Sequence, residues 1–142
     1  LYAGVVINYC SNFELIGAEL GEVKPTILAS VPRIYEKIYA KVLEAAATGS
    51  SLRRAIFEWA RATGEKTLDY RLEGTSPPGA LLLANRIADR LVFAKLRARL
   101  GGRLRFAVSG GAPLNPDICR FFLAAGISAH NFDAGEVFEA RF

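Results

Sequence analysis

The sequence predicts an α/β domain: a largely parallel sheet with flanking helices and a long helical insertion between two of its strands. Three observations carry this. Two short apolar runs, Thr26–Val31 and Leu104–Val108, have the length and composition of buried strands. Segments with apolar residues at three- and four-residue steps lie between and after them, so strands and helices alternate. The strand runs are apolar almost throughout, not at every second position, as in a parallel sheet covered on both faces.

Composition sets the frame. The 142 residues are 51% hydrophobic and 23% charged, a globular balance with room for one core. The chain opens on Leu1 inside an apolar run and holds no Met, which predicts a segment of a longer protein. No basic stretch precedes that run, and no apolar window reaches the roughly 18 residues of a membrane span, so neither a signal peptide nor a transmembrane helix is expected. Cys10 and Cys119 lie far apart without metal-ligand spacing, and His130 is the sole histidine. No metal site is therefore expected, and both cysteines are predicted to be buried thiols of a cytoplasmic protein.

The net charge of +4 is unevenly placed: Arg86, Arg90, Lys95, Arg97, Arg99, Arg103 and Arg105 are set against Asp89 alone. No nucleic-acid recognition motif accompanies these cations, so nucleic acid is not an expected partner. The Arg86–Arg105 basic region is open to three readings: a solvated helix face, a peripheral membrane contact, or a seat for a phosphate-bearing cofactor.

In chain order, residues 1–9 are predicted as a buried strand. Ser11 or Asn12 caps a short helix carrying Phe13, Leu15, Ile16, Leu20 and Val23, and Lys24-Pro25 ends it. After the Thr26–Val31 strand, Pro32 suits a helix first turn and opens a helix to Ala47, with Ile34, Ile38, Val42 and Ala45 on one face. Ser51 caps the next helix, whose inward side holds Leu52, Ile56, Trp59, Ala60 and Thr63. Trp59 is its expected core anchor and Gly64 its weak point, since glycine in a helix costs about 1 kcal/mol against alanine. The run from Gly74 to Gly79 is a loop. The longest helix, Ala80 to about Leu100, presents Leu83, Ile87, Leu91, Ala94 and Ala98 as its seam, and Gly101-Gly102 stops it. Asn115 as cap, Pro116 at the first position and Asp117 in the first turn start the last helix, with Ile118, Phe121, Phe122 and Ala125 on one stripe. A weak strand, residues 127–132, follows Gly126.

Between the Leu104–Val108 strand and the last helix lies Ser109-Gly110-Gly111-Ala112-Pro113. A strand, a glycine turn and a helix start form a seat for an anion or a nucleotide, because a ligand approaches bare backbone there. The competing reading is a plain chain reversal. In open parallel sheets ligands bind beyond the carboxyl ends of strands, which points to this loop and to Val31-Pro32-Arg33. No nucleophile–base pair accompanies them. The glycine spacing of dinucleotide and triphosphate loops is absent, as is the Gly-x-Ser-x-Gly elbow.

Two runs carry a resemblance. Val23-Lys24-Pro25-Thr26-Ile27-Leu28-Ala29-Ser30-Val31-Pro32-Arg33-Ile34-Tyr35-Glu36-Lys37-Ile38 and Leu104-Arg105-Phe106-Ala107-Val108-Ser109-Gly110-Gly111-Ala112-Pro113-Leu114 closely resemble segments of long-chain fatty acyl-CoA synthetases, in the adenylate-forming, AMP-binding superfamily. The resemblance covers about residues 1–127 and implies part of the AMP-binding N-terminal domain, with a helical insertion at about 33–100. It implies a two-step ligase for the full-length enzyme: ATP and a fatty acid form an acyl-adenylate, and the thiol of coenzyme A then displaces AMP, with Mg2+ as the metal. By motif, Gly110, Gly111, Ala112 and Pro113 would be cofactor-binding, bordering the adenylate. No catalytic or metal-binding residue carries over.

The pattern fails at 128–142. The family's Tyr-Gly-x-Thr-Glu is not found there; the end of the chain is Asn131-Phe132-Asp133-Ala134-Gly135-Glu136-Val137-Phe138-Glu139-Ala140-Arg141-Phe142. The family's phosphate loop, ribose-binding aspartate and catalytic lysine are also not found, so this polypeptide alone is not expected to be active. Two alternatives stand beside the ligase reading: a nucleotide-binding module of another α/β class, and a non-catalytic fragment that meets membrane surfaces.

Overall fold

Proline placement sets the first crossover. Pro32 occupies the first turn of a helix that follows directly on a strand, and Val31 stays extended before it. The computed structural model describes residues 4, 6–10, 12 and 14–131. Its elements are α1 (Ile16–Val23), β1 (Ile27–Ser30), α2 (Pro32–Ala47), α3 (Ser51–Leu72), α4 (Gly79–Ala88), a π-helical turn (Asp89–Phe93), α5 (Ala94–Arg99), β2 (Phe106–Ser109), α6 (Pro116–Ala124) and β3 (Ser128–Asn131). The chain is α/β, as its periodicities predict. All three strands are parallel, in the order β1-β2-β3, with Ile27 opposite Phe106 and Val108 opposite His130.

That order has a consequence. Each crossover moves the same way across the sheet, and right-handed crossovers then lay their helices on one face. Ala107, Ser109 and Ala129 point to that face and are buried. On the other face Ile27 is 57% and Phe106 43% exposed. The expected sheet covered on both faces is therefore corrected to one covered on a single face among the described residues.

The core lies between the sheet and the helices. Ile34, Tyr35 and Ile38 of α2, Phe57 and Ala60 of α3, and Phe121 and Phe122 of α6 meet there. Phe121 packs edge-on against Tyr39 at 4.9 Å and against Phe122 at 5.8 Å. Asn115 caps α6 as expected, its Oδ1 accepting from the Asp117 N–H at 2.8 Å. α3 is capped one residue earlier than predicted, by Ser50, whose Oγ accepts from the Arg53 N–H. Two adjacent serines offered the cap, and the first stands one residue outside the helix.

Several inward residues face outward instead. Among residues 4 and 6–10, predicted as part of a buried strand, no strand forms: Val6 is 82% and Tyr9 88% exposed. An apolar run becomes a strand only where a neighbour takes its backbone groups, and these residues pair with none of the three described strands. Cys10 is accordingly exposed and Cys119 half-buried, both free thiols, which corrects the buried pair. Residues 1–3, Val5, Ser11, Phe13 and 132–142 lie outside the described residues. α1 starts at Ile16, with Leu15 at its cap position; Asn12 instead turns the chain ahead of it, accepting from the Glu14 N–H at 2.9 Å.

In α3 the buried stripe is Phe57, Ala60, Thr63, Gly64, Thr67 and Leu68, while Leu52 and Trp59 are exposed. Gly64 decides this rotation. It does not break the helix but forms a notch for Phe93, whose ring atom Cζ would stand 2.8 Å from a Cβ there. Trp59 is thereby turned off the core. In the long helix Leu83, Ile87 and Leu91 are exposed and Ala88, Phe93 and Leu96 are buried. The cause is the π-helical turn, which holds one residue more than an α turn and rotates the face beyond it.

Candidate functional site

The carboxyl ends of β1 and β2 meet at the start of α2. The Gly110 N–H donates to the Ser30 carbonyl at 2.9 Å, extending the pairing one residue past the strands. The Tyr35 hydroxyl stands 2.8 Å from the Leu28 carbonyl and 2.9 Å from the Val108 carbonyl. Its single proton serves either one. Tyr35 is 1% exposed, and burial pushes its phenol well above the ordinary range, so it remains a neutral donor. Phe122 holds the ring edge-on at 5.9 Å. One side chain from α2 thus fixes both strand ends that carry the two predicted loops.

From that anchor the chain runs through Ser109-Gly110-Gly111-Ala112-Pro113 to the buried Leu114 and the Asn115 cap. Gly111 has φ +87, a backbone shape that favours glycine. A Cβ built at Gly110 or Gly111 meets nothing within 4 Å, so the loop borders open space. Gly111, Ala112 and Pro113 are exposed. The loop is a wall almost without side chains, beside the Val31-Pro32 turn. Both sequence-predicted loops therefore come together at the carboxyl end of the sheet.

Ser109, at the base of the loop, is 1% exposed, and its Oγ has no hydrogen-bond partner among the described residues. It has no base. Ser109 pairs with Asn131 and Val108 with His130, so Ser109 and His130 project to opposite faces of the sheet. A serine–histidine pair is excluded by register alone. No group of three His, Cys, Asp or Glu side chains suited to a metal occurs among the described residues.

The basic region divides in two. Arg97 forks onto Asp89, with nitrogen–oxygen distances of 2.7 and 2.9 Å, and also donates to the Ala125 carbonyl at 2.8 Å. It is a structural clamp between α5, the π-helical turn and the end of α6. Arg86, Arg90, Lys95, Arg99, Arg103 and Arg105 remain exposed. No helix of the described residues is long and apolar enough to cross a membrane.

Tyr35 is the residue that periodicity did not single out. The available signal was a tyrosine one turn into a helix that starts directly after a strand, where its hydroxyl can reach back to a carbonyl of that strand.

The chain is 37% identical over 123 residues, 85% of its length, to the peroxisomal long chain acyl-CoA synthetase 6 of Arabidopsis thaliana. It is 38% identical over 130 residues, 91% of its length, to the long-chain-fatty-acid–CoA ligase FadD15 of Mycobacterium tuberculosis. The chain is homologous to one segment of the long-chain acyl-CoA synthetases. A further synthetase of the group, long chain acyl-CoA synthetase 1 of Arabidopsis thaliana, is 38% identical over 113 residues. The chain spans 16% to 21% of the length of these synthetases, so it represents one piece of their architecture. No protein-family model matches the sequence, and no solved structure matches it.

Proposed function

We propose that the chain supplies one wall of the nucleotide pocket of a long-chain fatty acid–CoA ligase, with Gly110, Gly111, Ala112 and Pro113 against the adenylate. The observation that supports this most is the exposed, nearly side-chain-free loop at the carboxyl ends of β1 and β2, in a segment homologous to the synthetases. A flat base needs a wall without protruding side chains and with free backbone groups, and the loop fits that requirement. The reaction joins a fatty acid to coenzyme A through an acyl-adenylate, with ATP as energy source and Mg2+ on the phosphates. ATP supplies the activating adenylyl group; this chain binds and orients it through backbone and small side chains. Residues 1–127 form part of the AMP-binding domain and 128–142 depart from its pattern. The chain alone is inactive, because the phosphate and metal contacts belong to other segments.

The test is Gly110→Val in an enzyme carrying this segment. Gly110 is the cleaner probe than Gly111: its φ is not positive, and its Cβ has free space around it. The expected result is ATP binding weakened about tenfold or more, with thermal stability within about 0.5 kcal/mol of the parent. Unchanged ATP affinity in a folded variant would refute the assignment.

A further inference from the structure

Ser109 ends β2 at the base of the glycine loop, and its chemistry differs from that of its neighbours. Ala107 and Ala129 fill the same helix-covered face of the sheet with methyl groups alone. Ser109 adds a hydroxyl at an equally buried position, and its Oγ has no hydrogen-bond partner among the described residues. Ser30 stands opposite it in register, with no hydrogen bond between the two hydroxyls. A buried hydroxyl left unmet destabilises a fold, and native proteins hold few of them, so each calls for a role. Packing alone asks only for an alanine here.

Donors that could serve it stand two and three residues further on. The N–H groups of Gly111 and Ala112 donate to no acceptor among the described residues, and both residues are exposed. A serine oxygen that accepts an N–H shortly ahead in its own chain makes a common local turn. Acceptor and donors are thus within reach of each other, and in this structure they do not meet. The loop is held at both ends. The Gly110 N–H is taken by the Ser30 carbonyl at 2.9 Å, while Leu114 is buried and Asn115 caps α6. Any turning is therefore confined to the stretch from Gly110 to Pro113, where two glycines make it easy.

A base laid flat on this loop changes the balance. It takes the covered N–H groups of Gly111 and Ala112 out of water. A purine carries its acceptors on its edges and offers none above the ring. An N–H under the ring face must then find an acceptor within the protein or go unmet. The Ser109 Oγ is the acceptor close by in the chain that is still unused.

We propose that Ser109 is a positioning residue for the adenylate, an inference that rests on the glycine loop being the adenylate wall. When the base seats, the loop turns about the Gly110–Gly111 bond, and the Ser109 Oγ accepts the N–H of Gly111 or Ala112. The wall is then fixed in the shape that the base requires. Ser109 does not touch the nucleotide. It is unmet in the free enzyme and satisfied in the bound one, and that difference between the two states is what favours the bound loop.

The experiment uses a full-length synthetase carrying this segment, with its Ser109→Ala and Ser109→Thr variants. AMP affinity is measured by calorimetry, and amide exchange across residues 106–114 is followed with and without AMP. Ser109→Ala removes an unmet group, so the free variant should melt no lower than the parent. Its AMP affinity should nevertheless fall about five- to tenfold. AMP should slow exchange at Gly111 or Ala112 in the parent, and this slowing should be lost in Ser109→Ala. Ser109→Thr keeps the hydroxyl and should bind AMP as the parent does; the Ser109→Ala result decides alone where the added methyl prevents folding. Equal affinity and equal slowing in the parent and Ser109→Ala would overturn the proposal and leave the wall in place. Lack of AMP-dependent slowing in the parent would also overturn it. If Gly110→Val leaves AMP affinity unchanged as well, the adenylate wall falls with it.

Discussion

At the scale of single residues, Tyr35 and Gly64 decide more than their neighbours. Tyr35 joins α2 to two strands through one proton. Tyr35→Phe should cost about 1 kcal/mol, the net worth of a buried hydrogen bond. The same residue sets a pH dependence. Burial raises the folded phenol above its unfolded value of about 10. The stability tied to the neutral phenol is thus fully present below about pH 10 and is lost as pH climbs from there towards the folded value. Urea midpoints between pH 8 and 11 check this: the parent should lose more stability across that window than Tyr35→Phe. Gly64 poses two opposed effects. Alanine gains about 1 kcal/mol of helix propensity, but its Cβ would stand 2.8 Å from Phe93 and 3.2 Å from Ala124. Phe93 is 1% exposed and has no room to retreat, so overpacking wins and Gly64→Ala should destabilise by about 1–2 kcal/mol in thermal unfolding. The sequence shows only a glycine in a helix; that it is a notch depends on a ring 29 residues away.

At the scale of elements, legibility followed locality. The α2 start at Pro32 and the Asn115-Pro116 start of α6 were readable because a cap and a proline act within one turn. Faces were less so. A 3.6-residue period predicts Leu83, Ile87 and Leu91 as the buried seam of the long helix, yet the buried pair across the π-helical turn is Ala88 and Phe93, five apart. Composition gives no sign of where a helix will widen. What stabilises the widened turn is Arg97, eight residues from Asp89 and bonded also to the Ala125 carbonyl at the end of α6. Arg97→Ala should cost about 1 kcal/mol and speed amide exchange at the end of α6. Arg97→Lys should not restore it, since an ammonium cannot reproduce the fork. An exchange pattern unaltered in both variants would deny Arg97 this role.

For the molecule as a whole, the parallel sheet was legible from alternation, but its cover was not. Near-continuous apolar strands signal burial on both faces, and here consecutive crossovers in one direction leave Ile27, Ala29, Phe106 and Val108 on the side away from the helices. An apolar sheet face of this kind invites contact with other apolar surface. Ile27→Lys with Phe106→Lys should reduce self-association in sedimentation and dye binding to exposed apolar surface, with thermal stability nearly unchanged. The same lesson holds at the candidate site. The glycine loop was visible as a motif, whereas its open side followed only from the exposure of Gly111 to Pro113 and the bare space beside Gly110.

The π-helical turn also carries a spare residue. Most deletions inside a helix rotate everything beyond them by about 100° and scramble the buried face. Here the loss of Leu91 alone would leave Ala88 and Phe93 four apart, and Asp89 and Arg97 seven apart, both natural spacings for neighbours on an α-helix. The fold can therefore shorten at this point and keep both the buried Ala88–Phe93 pair and the Asp89–Arg97 fork on one helix face.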